Sequence, residues 1–254
     1  MSLNRSIRLK TPEEIEKMAS SGQLLAEVFK ELKSVIVAGV TTAEINKVAD
    51  DMIVEAGCIP SFKGYSGFPA ACCISVNEEV VHGIPGNRVL KNGDIVGVDC
   101  GLIMEGWHSD SAETYAIGEV SMEANKLMTT TRECLALAIE QAIPGNRISD
   151  IGIAVETKAH KDGFSVVETL VGHGIGRELH EDPQVPNYRC LSDSDPIIEE
   201  GLVIAIEPMI NIGTKRVVTE SDGWTILTAD RKLSAHYEHT VAVTANGPRI
   251  LTWR

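Results

Sequence analysis

Small or apolar side chains recur at intervals of three and four through Ile15, Met18, Gly22, Leu25, Phe29 and Leu32, a spacing that lines one face of a helix. Thr11, Pro12 and Glu14 mark its start: a capping hydroxyl, a proline at the first helical position and an acid at the third. Thr41 and Glu44 repeat the capping device ahead of Ile45, Val48, Ala49, Met52 and Ile53. Ser121 and Ser149 are expected to cap two further helices. Runs rich in β-branched residues between turn formers predict strands at 72–76, 94–99, 165–170, 202–206, 224–228 and 237–243. The stretch from Pro183 to Gly201, with three prolines and several acids, reads as a surface loop inside one domain. Helices and strands intermix, so the expected class is α+β.

The pattern repeats. Gly39, Glu44, Ile45 and Gly57 match Gly145, Asp150, Ile151 and Gly163 at an offset of 106, and Gly93 and Asp99 match Gly201 and Glu207 at 108. Asp110 follows His108 by two residues, as Glu238 follows His236. Three echoes in one order predict a duplicated unit of two helices and an antiparallel sheet, with halves of roughly 11–120 and 121–254 in a single domain spanning 1–254.

Composition narrows the function. The 254 residues are 43% hydrophobic and 23% charged, which excludes a disordered or fibrous chain. A net charge of −13 disfavours nucleic acid as a partner. No apolar run is long enough to span a bilayer, and the opening MSLNRSIRLK lacks a signal peptide's apolar region, so a cytoplasmic protein is expected. Six cysteines without a CxxC spacing read as reduced thiols, mostly in the core.

Candidate chemistry follows from the strand ends. DIVGVD delivers Asp99 and LVIAIEP delivers Glu207 to equivalent places, and the duplication brings them together with Asp110 and Glu238. Buried carboxylates without partners are costly, and no Lys or Arg lies within five residues of Asp99 or Asp110. Two divalent ions would balance four carboxylates, and a water between two such ions becomes a nucleophile near neutral pH. His173, in a glycine-rich turn, offers a fifth ligand, with His180 seven residues on. His82 and His173 share an HGI sequence at corresponding stages of the two halves.

Taken singly, each of these residues has an ordinary reading: an acid at a strand end is usually a solvated edge, and a lone histidine is usually structural. Their joint, symmetric placement favours a metal centre. GHGIG only loosely imitates a dinucleotide loop and has no acidic ribose partner at the required distance. Cys72, Cys73 and Cys100 fit apolar strand patterns better than nucleophilic ones.

In order and spacing, NEEVVHGIP, GDIVGVDCG, HSDSAETY, VGHGIGRELHEDPQVPNY, AIEPM and SAHYEHT resemble the type I methionine aminopeptidases of the pita-bread fold, in their short bacterial form, from Thr11 nearly to Arg254. That resemblance implies a metalloaminopeptidase, a hydrolase removing N-terminal methionine when the second residue is small. By it, Asp99 binds one metal, His173 and Glu207 the other, and Asp110 and Glu238 both. Glu207 relays the proton of the attacking water, while His82 and His180 contact substrate and stabilise the tetrahedral intermediate. Phe62, Tyr65, Phe68, Cys73, His82 and Trp224 line the methionine pocket, whose shape Phe62 and Leu179 set. The metal stays open among manganese, iron, cobalt and zinc. Expected partners are peptide and nascent-chain N-termini, with transient contact to the ribosome and a monomeric chain. A rival reading is an Xaa-Pro aminopeptidase, which usually carries a large N-terminal domain, whereas a creatinase-like hydrolase would lack the carboxylates.

Overall fold

The computed structural model describes residues 7–190 and 195–254. Four helices, α1 (Pro12–Val35), α2 (Thr42–Glu55), α3 (Met122–Glu140) and α4 (Ile148–Asp162), pack against a nine-stranded antiparallel sheet. Its strands are β1 (Ile59–Pro60), β2 (Cys72–Val76), β3 (Ile95–Met104), β4 (Trp107–Ala116), β5 (Gly172–Gly174), β6 (Glu181–Val185), β7 (Val203–Ile206), β8 (Glu238–Thr244) and β9 (Gly247–Ile250). Hydrogen-bonded neighbours run β1-β3-β4-β8-β7-β5-β6, with β2 on β3 and β9 on β8. The β4·β8 seam lies at the centre, and β3-β4 mirrors β7-β8 across it, as the duplication requires. Two three-stranded sheets flank the main one.

Helices α1 and α2 form as expected. Thr11 and Thr41 each accept from the third helical N–H, while Glu14 and Glu44 return the bond to the cap's own N–H. Ile15, Met18, Leu25, Phe29 and Leu32 are all buried, and Gly22 lets α1 settle on the chain end, where a Cβ would come within 2.3 Å of the Leu251 carbonyl oxygen. Ser121 caps α3. Ser149 does not cap α4: that helix begins at Ile148, and Ser149 lies inside its first turn. The Asp195 carboxylate accepts from both the N–H (3.0 Å) and the hydroxyl (2.7 Å) of Ser149, so the cap comes from 46 residues away.

Of the six expected strands only β2 keeps its bounds: Ser165–Val166, Ile226–Thr228 and β7 are shorter, β8 is shifted by one residue, and β3 runs on to Met104, which puts Asp99 in mid-strand and not at a strand end. The segment 183–201 is not wholly a loop, since its first three residues complete β6 and Val185 and Asn187 are buried. Residues 191–194 of that segment, and MSLNRS at the start, lie outside the described residues. All six cysteines are free, five buried and Cys190 half-buried.

Each half has its own apolar core beneath its helices, with Val96, Val98, Cys100 and Leu102 of β3 in one and Ile204, Ile206, Val241 and Val243 of β7 and β8 in the other. Strand side chains alternate faces, so the intervening residues, Asp99 among them, point to the opposite, concave side. No helix among the described residues is long and apolar enough to cross a membrane.

Candidate metal centre and substrate pocket

Register assembles the centre. Ala112 of β4 pairs with Asp99 of β3 on one side and with Glu238 of β8 on the other. Two carboxylates thus flank one methyl group, which leaves open space between them. Asp110, two residues along β4 on the same face, pairs with Gly101. Its backbone N–H donates to Thr240 Oγ1, and the Thr240 hydroxyl donates back to its carbonyl, tying it across the seam. Glu207 follows the end of β7. His173 pairs with Ala205, and the glycines beside it admit the close approach that the sequence implied: a Cβ on Gly172 would lie 2.4 Å from the Ala205 oxygen.

The His173 Nδ1 lies 2.8 Å from the Gly174 carbonyl oxygen. A carbonyl only accepts, so Nδ1 carries the proton and Nε2 presents a lone pair to the site. Ligand atoms of Asp110, His173 and Glu238 fall within 4.8 Å of one another, and His173 Nε2 is 3.6 Å from Glu207 Oε1. The five expected ligands therefore converge.

The electrostatics demand a cation. Burial, reinforced by neighbouring carboxylates, holds Asp99, Glu207 and Glu238 well above the usual carboxylate range, and burial pushes Asp110 up to about 7. Oxygens of Asp99, Asp110 and Glu238 are buried without a hydrogen-bond partner. Among the described residues no Lys or Arg pairs with any of the four. Burial first, then His180, presses His173 down to about 3, so it is neutral and free to ligate. Acceptor-only oxygens around one imidazole suit divalent metal ions of the first transition row.

Beside the centre lies a cavity of about 220 Å³ lined by Phe62, Tyr65, Phe68, Cys73, His82, Leu179, His180 and Trp224, with the carboxylates at its base. Every expected pocket residue is present, and Ser66 joins them. Phe68 and His82 each meet Trp224 edge to face. His180 stands at the mouth, its ring centroid 4.3 Å from that of His173 and its Nδ1 2.7 Å from the Tyr65 hydroxyl.

Two features depart from the sequence reading. The HGI echo is not structural: Ser75 pairs with Gly97, the counterpart of Ala205, so Ser75 occupies the place of His173, while His82 directly follows the strand Glu79–Val81 with φ 60°. His236 stands in the sequence only as part of an echo, yet its buried Nε2 lies 3.6 Å from Glu207 Oε2. The HxD and HxE spacing was the signal that could have found it.

The family model for metallopeptidase family M24 matches residues 16–245. The chain is 50% identical over 246 residues to a methionine aminopeptidase of Clostridium perfringens, covering 97% of this chain and 98% of that one. The crystal structure of a methionine aminopeptidase from Thermotoga maritima superposes with a TM-score of 0.95 at 44% identity, covering 98% of this chain and all of that one. An X-Pro aminopeptidase from the same organism shares the fold at a TM-score of 0.76 and 22% identity, and this chain covers 62% of it. The curled sheet and four helices are thus the pita-bread fold.

Proposed function

The chain belongs to metallopeptidase family M24 and is a metal-dependent aminopeptidase; from that premise we propose that it hydrolyses the bond after an N-terminal methionine when the second residue is small, with two divalent ions. Asp99 would hold one ion, His173 and Glu207 the other, and Asp110 and Glu238 both. When bound, the ions supply Lewis acidity and a water acidic enough to attack near neutral pH.

The protein groups do the rest. Glu207 accepts the proton of the attacking water and passes it to the leaving amine. His180, at the mouth, donates to the oxygen on which charge develops, and His82 contacts the substrate from the opposite wall beside Trp224. The pocket of Phe62, Tyr65, Phe68, Cys73 and Trp224 suits a flexible thioether, because polarizable sulfur packs well against aromatic edges. Leu179 closes its side. The substrates are peptide and nascent-chain N-termini, met in the cytoplasm by a monomer in transient contact with the ribosome.

The observation that carries this reading is the adjacency of unpaired buried carboxylate oxygens and an aromatic, thiol-lined cavity. Met-Ala-Ser, Met-Arg-Ser and Ala-Pro peptides assayed with manganese, iron, cobalt and zinc test it. Release of methionine from the first alone is expected. Faster cleavage of Ala-Pro, or equal cleavage of the two methionyl peptides, overturns it.

A further inference from the structure

Tyr65 stands on a tight loop between β1 and β2. Gly64, Ser66 and Gly67 all have positive φ, and for Ser66, at 47°, that conformation costs free energy that a loop without a task would shed. Backbone bonds close the loop on itself, from Tyr65 N–H to the Phe62 oxygen and from Phe68 N–H to the Tyr65 oxygen. Tyr65 is 42% exposed, so burial is not what holds it there. Its hydroxyl instead meets His180 Nδ1 at 2.7 Å, with ring centroids 5.2 Å apart.

His180 is anchored from the other side by its neighbour. The Glu181 carboxylate accepts from the Arg177 N–H (2.8 Å), the Glu178 N–H (3.2 Å) and the buried Lys10 ammonium (2.7 Å), which fixes the turn carrying His180. With the backbone held, the open variables are the rotation of the imidazole and the nitrogen that bears its proton. A neutral imidazole has one N–H, and an Nδ1 that accepts from a phenol leaves that proton on Nε2.

We propose that Tyr65 is a positioning residue whose hydroxyl donates to His180 Nδ1 and so keeps the Nε2–H aimed at the scissile carbonyl oxygen. This rests on the role given to His180 above. It assigns Tyr65 more than a place in the pocket wall: the loop that shapes the methionine site also sets the donor that acts on the bond next to it.

Tyr65→Phe keeps the ring and removes only the hydroxyl. With Met-Ala-Ser and saturating manganese, kcat is expected to fall about tenfold, less than the roughly hundredfold typical of losing such a donor outright, with KM changed less than about twofold. Histidine ¹⁵N spectra of the zinc-loaded protein are expected to show His180 protonated on Nε2 in the parent and as a mixture of tautomers in the variant. An Nδ1-protonated His180 in the parent, identical spectra in the two proteins, or a higher KM at unchanged kcat overturns the proposal. The spectra need no turnover, so a parent protein inactive on every peptide would overturn the functional reading while the tautomer still decided this one.

Discussion

The two halves of the molecule share a backbone and divide the chemistry. Gly39 and Gly145 adopt φ of 96° and 94°, Gly57 and Gly163 73° and 88°, and Gly93 and Gly201 94° and 91°. The Gly39 N–H donates to the Leu90 oxygen as the Gly145 N–H does to that of Ile198, and an isolated bridge joins Thr41 to Val89 as another joins Arg147 to Ile197. At these three matched turns both halves have glycine in the left-handed region. At the centre they differ: the first half supplies Asp99 and Asp110, the second Glu207, Glu238 and, where the first has Ser75, His173. Duplication preserved what folding needs and released what the site could specialise. The outcome is an asymmetric set of side chains, with carboxylates alone from the first half and carboxylates plus an imidazole from the second.

The comparison breaks most severely at a ligand shared between the halves. Asp110→Ala is expected to lose both ions, measured by elemental analysis, and turnover to below about a thousandth. An active variant retaining two ions would dissolve the shared role. Next, His180→Ala should keep both ions yet lower kcat by about a hundredfold to a thousandfold with KM nearly unchanged, whereas His173→Ala should weaken one ion in a metal titration. Loss of an ion from His180→Ala would merge the two roles proposed for these histidines.

A smaller effect concerns pH. The raised carboxyls bind protons in the folded chain that the unfolded chain, with carboxyls near pKa 4, has already released, so they cost stability as pH rises through about 7, the Asp110 value. His173 and His236, pressed to about 3 by burial, act oppositely, but only below the unfolded histidine value of about 6.5. Above that the histidine contribution is complete and the carboxyl contribution continues. The melting temperature of chelator-treated protein is therefore expected to fall between about pH 6.5 and 8, and stabilisation by manganese to grow over the same interval. A rise under chelator would contradict it. The smallest effect tests the backbone symmetry: Gly39→Ala and Gly145→Ala, each with open space around the new methyl, should each cost about 1 kcal/mol, or about 2–4 °C in Tm. Unequal losses would show that the matched turns carry different loads.

Much of this was legible in the chain because it rests on local rules. Capping boxes and three-four spacing located α1 and α2, and the apolar runs ending in Asp99 and Glu207 located two arms of the centre. Strand β4 was not legible as a strand, since WHSDSAETYA lacks an apolar face. Its buried polar groups find partners remote in sequence: Ser109 meets Ser21, and Ser111 and Thr114 donate to the carbonyl oxygens of Glu238 and His236. The cap supplied by Asp195 was hidden for the same reason. The HGI echo misled because likeness of letters does not carry likeness of register.

The β4·β8 seam has one more consequence. Glu238 and His239 are its paired residues on β8, opposite Ala112 and Ser111, and one of the two carboxylates proposed to be shared stands on each side, Asp110 on β4 and Glu238 on β8. Ions held by both would be fasteners as well as reagents, clasping two lobes along a narrow join. An enzyme built this way cannot assemble its catalytic centre without also closing its own structure, so the competence to cut a chain and the integrity of the cutter rise and fall together.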